Sequence, residues 1–465
     1  NIGLIYPVSK NLQLQGAYTK GNTINFGFSY ALDFSIKDSI VKKKDPYIEV
    51  KNSYEIKVSN EEDELAFYRS ILSELSKRQL YLQKADITDQ TLKVQFAQSK
   101  FSSHTLAAGR VARVLSDISP NDISTFSISN VNAGIPMYSM NIPRSTFERY
   151  RDTQNYKLVE RKIHLDSVNL NDDSYKYNPI APYPAHFYFF SPQLRSQIGG
   201  PDGFFFGDLR IGLESELQFS PTTSLLTSAS IGVLNNFNRL SLASDSIIPH
   251  VRTDIVKYLK GTEDFQLTRV QLNSFFNLKK DTFLKISAGI LEEMFAGFGG
   301  EILYKPFHKN IAVGAELWRV QQRDYSDPLG LIDYKTTTGH INLYLREPRT
   351  QILFQLRGGK FLARDSGLNF DFSRRFSSGF SVGAFFSLTD ISKREFGEGS
   401  FDKGFYFNIP LDIFTTDYVK RDIPWGLRPL TRDGAAFLYH GFPLYGVTEQ
   451  ADAHSLLRDM EDIYE

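Results

Sequence analysis

Charged residues set two apart carry what chemistry this chain offers. In LRIGLESELQF, Arg210, Glu214 and Glu216 fall on one face with Gly212 and Gln218, and Leu209, Ile211, Leu213, Leu217 and Phe219 fall on the other. Arg269, Lys285, Glu316, Arg346, Arg357 and Asp371 occupy the polar faces of similar runs. A face bearing both signs suits cross-strand ion pairs that stiffen a closed interior. It equally suits a polar passage, or a surface where carboxylates and arginines hydrogen-bond saccharide hydroxyls. A second group lies in FGEGSFDKG, where Glu398, Asp402 and Lys403 sit among glycines. This loop is expected to fold back onto the rest of the molecule and pair its charges there. His340 and Asn342 share a face in TGHINLY. That pair serves hydrolysis only beside a nucleophile, and no serine partner is identifiable, so an interior hydrogen-bonded histidine is the preferred reading. H-E-x-x-H and P-loop patterns are absent. The glycine-rich EEMFAGFGGE and RDSG precede no helix N-terminus and do not read as phosphate cradles. With no cysteine, thiol catalysis and Cys-ligated metals are excluded. No cofactor or metal is expected.

The elements that must position these residues are strands. From about 185 to 410 the chain is a series of alternating segments, among them RVQLNSFFNL, TFLKISAGIL, HINLYLRE, LNFDFSRR and SVGAFFSL. Short connectors at 220–224, 279–281, 305–310, 346–350 and 373–379 alternate with long ones at 236–266, 291–297, 321–338, 358–367 and 389–404. Consecutive antiparallel strands with short turns at one end and long loops at the other describe an outer-membrane barrel. About twelve strands are expected here, an even number, with Phe405–Ile409 as the last. A soluble sandwich alternates as well. The uninterrupted hairpins, the alternating connector lengths and the aromatic clusters near strand ends (Phe187–Phe190, Phe204–Phe206, Tyr304 with Phe307, Trp318 and Tyr325) favour the membrane. The expected fold is mainly β: an antiparallel up-and-down transmembrane β-barrel of about 12–14 strands with an inserted small α+β periplasmic domain.

That domain is expected at 47–151. DELAFYRSILSELSKR places Leu65, Tyr68, Leu72 and Leu75 at helical spacing, and HTLAAGRVARVLSDIS does the same for Ala107, Val111, Val114, Leu115 and Ile118. Each is followed by a strand pair, a helix–strand–strand order given twice. Residues 152–183 read as a linker, and 412–465 as an irregular C-terminal tail. Residues 1–40 carry an amphipathic hairpin, either the end of a preceding barrel or part of this one. The balance of 53 basic and 53 acidic side chains argues against nucleic acid as a partner. No run is long and apolar enough for a transmembrane helix. The opening NIGLIYP has no Met and no signal-peptide pattern, so Asn1 is expected to be a cut within a longer protein.

The segments FAGFGGEILYKPF, AVGAELWRVQQRDY, TTTGHINLYL, FGEGSFDKGFYFNIPLD and RPLTRDGAA, in this order, resemble the YjbH-type (GfcD-like) exopolysaccharide biosynthesis family. QGAYTKGNTINFGFSYALDF resembles the stretch before that family's middle domain. The resemblance runs from Asn1 to about Phe437, with FGEGSFDKG its most specific block. It implies a Gram-negative outer-membrane β-barrel, encoded with polysaccharide export genes, that assists production or export of an exopolysaccharide or capsule. It supplies no catalytic residues, and a non-enzymatic role is expected. An outer-membrane enzyme acting on glycan or lipid, or a plugged-barrel scaffold for an export machine, is the alternative. The implied partners are outer-membrane lipid, exopolysaccharide, and co-encoded periplasmic or outer-membrane export proteins.

Overall fold

The computed structural model describes residues 2–9, 12–31, 41–43, 60–168, 175–179, 181–198, 203–240, 246–396, 401–428 and 432–465. They form three sheets. β1 (Ile2–Pro7), β2 (Leu12–Thr19) and β3 (Thr23–Tyr30) make a small antiparallel meander. Its register places Ile2, Leu4 and Tyr6 beside Tyr18, Gly16 and Leu14, with Phe26 and Phe28 next in the same rows. Among the described residues no ladder joins this meander to another sheet.

The second sheet belongs to an α/β unit: α1 (Glu61–Ser76), β4 (Leu80–Thr88), β5 (Thr91–Gln98), α2 (His104–Ile118), β6 (Thr125–Asn132), β7 (Ile135–Pro136), β8 (Ser139–Pro143), α3 (Arg144–Arg151), α4 (Tyr156–Glu160) and β9 (His164–Asp166). The sheet order is β4-β5-β6-β8-β9, with β5 and β6 parallel. Asn60 caps α1 by accepting the Asp63 N–H at 2.9 Å. Four acidic residues fill that helix's first turn, where they oppose the macrodipole. Phe67, Tyr68, Ile71 and Leu75 are its buried face. Leu65, expected there, is exposed, because the core lies on the side of Phe67 and Ile71. The expected linker at 152–183 is partly structure: α4 and β9 join the unit, and Tyr177 bridges Ala85. Residues 47–59 and 169–174 lie outside the described residues.

The third sheet has thirteen strands in chain order, each antiparallel to the next. They are β10 (Ala185–Ile198), β11 (Phe205–Ser220), β12 (Thr223–Asn235), β13 (Phe265–Lys279), β14 (Thr282–Ile290), β15 (Phe295–Tyr304), β16 (Ile311–Arg323), β17 (Leu331–Arg346), β18 (Ile352–Lys360), β19 (Ser366–Arg375), β20 (Ser381–Thr389), β21 (Asp402–Pro410) and β22 (Asp422–Leu427). The count is odd, and β21 is not the last strand. β22 escaped notice because DIPWGL is only six residues long and carries Pro424 and Gly426, which argue against a strand even though Ile423, Trp425 and Leu427 share a face; proline is tolerated in such a strand at a sheet edge. Among the described residues no ladder pairs β10 with β22. The sheet nonetheless curls until its edges approach, since the Arg421 guanidinium lies 4.6 Å from the centre of the Phe189 ring.

The polarity of this sheet is inverted. Along β14, Lys285 is 0% exposed, Ile286 51% and Ser287 1%. His340 and Asn342 in β17 are buried on either side of exposed Ile341, and Asn369 and Asp371 in β19 are buried between exposed Leu368 and Phe372. In these middle stretches polar side chains face in and apolar ones face out, while buried apolar residues such as Phe283, Leu303 and Val320 lie toward the two ends of the sheet. Most of the expected aromatic clusters are exposed, but Phe206, Phe307 and Trp318 face inward.

The α/β unit packs on the short-turn end of this sheet. Gly134 lies against the Pro221 carbonyl, and Asp166 is 3.4 Å from Lys280 and 3.7 Å from His308. One apolar core runs from Phe67 and Val111 to Phe283 and Phe307. At the opposite end the long connectors bury a second cluster that includes Val251, Tyr258, Phe295 and Leu362.

Candidate functional site

What covers the polar face is the end of the chain itself. Residues 432–465, part of the stretch 412–465 expected as an irregular C-terminal tail, cross the face from the long connectors to the α/β unit. At the far end, Asp433 accepts the backbone N–H groups of Arg252 and Thr253 at 2.7 and 2.9 Å. Asp365 accepts the Ala435 N–H at 2.7 Å. Burial pushes the Asp365 carboxyl up to about 6. Arg252 reaches Glu292 at 2.8 Å and donates to the Phe437 carbonyl.

Midway, the segment meets the charged residues of the strands. Glu316 accepts from His340 Nδ1 and from His440 Nε2, each at 2.9 Å, and from Trp318 Nε1 at 3.1 Å. The His440 ring stacks on Trp318 with centroids 4.4 Å apart. Lys285 Nζ lies 3.1 Å from His440 Nδ1 and donates to the Gly441 carbonyl. Gln271 donates to the His440 carbonyl at 2.8 Å, and Glu301 accepts the Leu444 N–H at 2.8 Å. Buried polar groups without partners are costly. An irregular segment, with its unpaired backbone N–H and C=O groups, is therefore a suitable filling for a polar interior.

At the near end Tyr445 stacks on Tyr344 with centroids 3.9 Å apart. Lys305 donates to the Thr448 carbonyl and pairs with Asp452 at 3.2 Å, while Arg346 donates to Ser455 at 2.7 Å. Burial alone raises the Asp452 carboxyl, but Lys305 and Arg346 draw it down to about 2. Burial lowers the Lys305 ammonium from its usual range. The segment finishes on α2. Thr105 donates to the Leu456 carbonyl at 2.9 Å, Arg113 donates to the Tyr464 carbonyl, and the Ile463 carbonyl lies where a side chain at Gly109 would stand. This second cover explains why α2 is buried nearly all round.

The structure disperses the candidate residues chosen from sequence. Glu316 is at the centre of the covered face. Arg357 lies 4.3 Å from the Phe437 ring, 3.0 Å from Asn369 and 3.7 Å from Asp371, which accepts from Tyr406 at 2.8 Å. Glu214 accepts from Ser228. Glu216 lies on the same face of β11, with no recorded ion partner among the described residues. Asp402 and Lys403 belong to β21 rather than to a loop. Asp402 is buried and pairs with Arg428 at 3.1 Å. Lys403 points the opposite way, exposed beside the Phe401 ring. Strand alternation sends these neighbours to opposite faces, so they do not act together. Glu398 lies outside the described residues. His340 has Glu316 as its recorded partner, and its Nε2 is buried without one. No group of His, Asp and Glu among the described residues is arranged to hold a metal ion. Sequence reasoning missed Arg252, Glu301, Lys305, His440 and Asp452, which do most of the holding. Only the density of polar and aromatic residues in the irregular C-terminal stretch hinted at their role.

A family described as exopolysaccharide biosynthesis protein YbjH matches residues 1–450. The uncharacterized lipoprotein YjbH of Escherichia coli (strain K12) is 28% identical across 96% of this chain. The chain spans 64% of that relative's length. With the match covering nearly every element described above, the chain belongs to the YjbH exopolysaccharide biosynthesis family.

Proposed function

We propose that this protein is an outer-membrane β-barrel that assists exopolysaccharide or capsule production and export without catalysing a reaction, its interior filled by its own C-terminal segment. The observation that carries this reading is the inverted polarity of the thirteen-stranded sheet. A soluble sandwich places its apolar face against another sheet. Here the apolar face is exposed and the polar face is covered, which is stable only with lipid outside. The approach of Arg421 to Phe189 supports closure of the two edges. The Escherichia coli relative, named a lipoprotein, supports a place in the cell envelope. Short turns of such barrels face the periplasm, which would put the α/β unit there, available to co-encoded export proteins.

The covered face favours a plugged scaffold over an open pore, and it bears on the enzyme alternative. Glu316, the best-placed carboxylate, is engaged by His340, His440 and Trp318, which leaves it poorly placed to act as a general acid or base. The partners in this reading are outer-membrane lipid, exopolysaccharide and the export proteins encoded alongside.

Site-directed labelling tests the placement, because the chain has no background thiol. Leu329→Cys, in the long connector between β16 and β17, should react with a membrane-impermeant maleimide in intact cells. Glu62→Cys, in α1, should react only after the outer membrane is permeabilised. The opposite pattern would invert the protein, and recovery of the protein in the membrane-free fraction would end the barrel reading.

A further inference from the structure

The plug does not cover the whole polar face. Beside it, over β10 to β13, lies an open cavity of about 310 Å3, within the range of roughly 300–1,000 Å3 typical of small-molecule sites. Its floor is a row across three strands. Glu214 of β11 is opposite Ser228 of β12, which is opposite Arg269 of β13. Gln193 and Thr268 complete the part that concerns ligand chemistry. Gln193 lies over Gly212, where a Cβ would collide with its amide.

The walls and the floor differ in how far their hydrogen-bonding capacity is spent. On the wall, Arg195 is held by Asp208 and by Glu293, and Glu292 is held by Arg252. On the floor, no carboxylate among the described residues stands at ion-pair distance from Arg269. Its recorded hydrogen bond is a long one, 3.4 Å, to the Tyr439 carbonyl of the plug. Among the described residues Glu214 has no cation at ion-pair distance and accepts from Ser228. One unspent guanidinium, one unspent carboxylate and a carboxamide thus face a common space. Fork-like donors and carboxylate acceptors at this spacing match a ligand bearing donors and acceptors on every side. Their charges cancel, which selects against a strongly anionic or cationic ligand.

We infer that this cavity is a binding site for a neutral polyhydroxylated segment, one or two sugar rings of the exopolysaccharide, with Glu214 and Arg269 as its principal contacts. The inference rests on the proposed role in exopolysaccharide production and adds the site. Arg269 also touches the plug. Gly441, at φ +58°, leaves the space its guanidinium occupies, so a ligand that draws Arg269 away loosens the grip of β13 on the plug. Lipopolysaccharide core sugars share the hydroxyl chemistry, and the experiment separates the two sources.

The test uses the full chain in nanodiscs and two probes: neutral di- to tetrasaccharides released by mild acid from the cell's own exopolysaccharide, and core oligosaccharide from its lipopolysaccharide. Binding is read by calorimetry and by saturation-transfer NMR. The exopolysaccharide fragments should bind, Glu214→Gln and Arg269→Gln should each weaken binding at least tenfold, and Arg269→Lys should recover part of it. Asp371→Asn, elsewhere on the polar face, should leave affinity unchanged. Binding insensitive to both floor variants, binding of core oligosaccharide alone, or no binding by a chain shown to be inserted and heat-modifiable on gels would each overturn the site while leaving the barrel reading intact. A chain that fails to enter bilayers would defeat the barrel reading instead.

Discussion

The two large sheets of this protein obey opposite rules. In the six-stranded sheet Leu92, Val94 and Phe96 are fully buried on one face and the helices cover them. In the thirteen-stranded sheet Lys285, Gln271 and Asn273 are fully buried, while Ile286, Leu317 and Ile341 are exposed. Both sheets are built from the same alternation of apolar and polar residues. The difference teaches that alternation specifies two faces without saying which is inside. That choice falls to the surrounding medium and to whatever covers the sheet. The α/β unit has α1 and α2 for cover. The long sheet has a polar peptide, which can satisfy buried charges that helix-packed Leu and Val side chains could not.

The comparison breaks most visibly if the same charge is placed on isoleucines of the two sheets. Ile128→Arg, in β6, buries an unpaired guanidinium in an apolar core and costs several kcal/mol, enough to unfold the α/β unit. Loss of the protease-resistant fragment around 60–166 is the readout. Ile286→Arg, in β14, leaves that fragment intact and instead costs about 2–4 kcal/mol of stability in bilayers, if the position lies near the midplane. Equal damage to the fragment by both variants would erase the distinction between the sheets.

Next in size is the plug's near-end anchor. Asp452→Asn leaves buried Lys305 and half-buried Arg346 without their carboxylate, and should cost about 3–5 kcal/mol. The urea midpoint of bilayer-inserted protein should fall accordingly. The carboxyl titrates near 2 when folded, below its ordinary value of 3.8. Its contribution is therefore present above pH 4 and is lost as pH falls through 2.

Asp365, at the plug's far end, has the opposite sign. Its folded value, about 6, lies above the ordinary 3.8, so the folded state favours the protonated form. That contribution is complete below pH 4 and lost as pH rises through 6. Asp365→Asn, which keeps an acceptor for Ala435, should raise stability by about 1–3 kcal/mol at pH 7.5 and by nothing at pH 4. Parallel stability–pH curves for variant and parent would contradict the burial of this carboxyl.

The smallest expected effect concerns one glycine. At Gly441 a Cβ would stand 2.0 Å from Arg269 Nη1, in a left-handed backbone conformation. Gly441→Ala should cost about 1–2 kcal/mol. Part of that cost should be relieved in the Arg269→Gln background, since a shorter side chain can yield. Strict additivity of the two changes would show that they do not touch.

The primary structure by itself settled most strands of the long sheet, because a period of two is written into those segments and survives any packing. It settled both principal helices of the α/β unit, whose apolar residues recur at helical spacing, and it settled the family through segments such as FGEGSFDKG. It also marked Glu316, Arg357 and Asp371 as one polar face. It did not reveal β22, a short segment whose Pro424 and Gly426 disfavour a strand and whose place is set by pairing with β21. Nor did it separate Asp402 from Lys403, which needs the strand to begin where it does. The path of residues 432–465 was decided only in three dimensions. ADAHSLLRDMEDIYE reads as a short amphipathic helix or tail, and a short helix forms at Ala453–Arg458, but no local pattern directs where the segment runs. It is held by hydrogen bonds and ion pairs to partners far away in the chain, Thr105 with Leu456 and Glu316 with His440 among them. Those partners exist as a surface only once the sheet has curled, so the segment's structure is a consequence of the fold it fills.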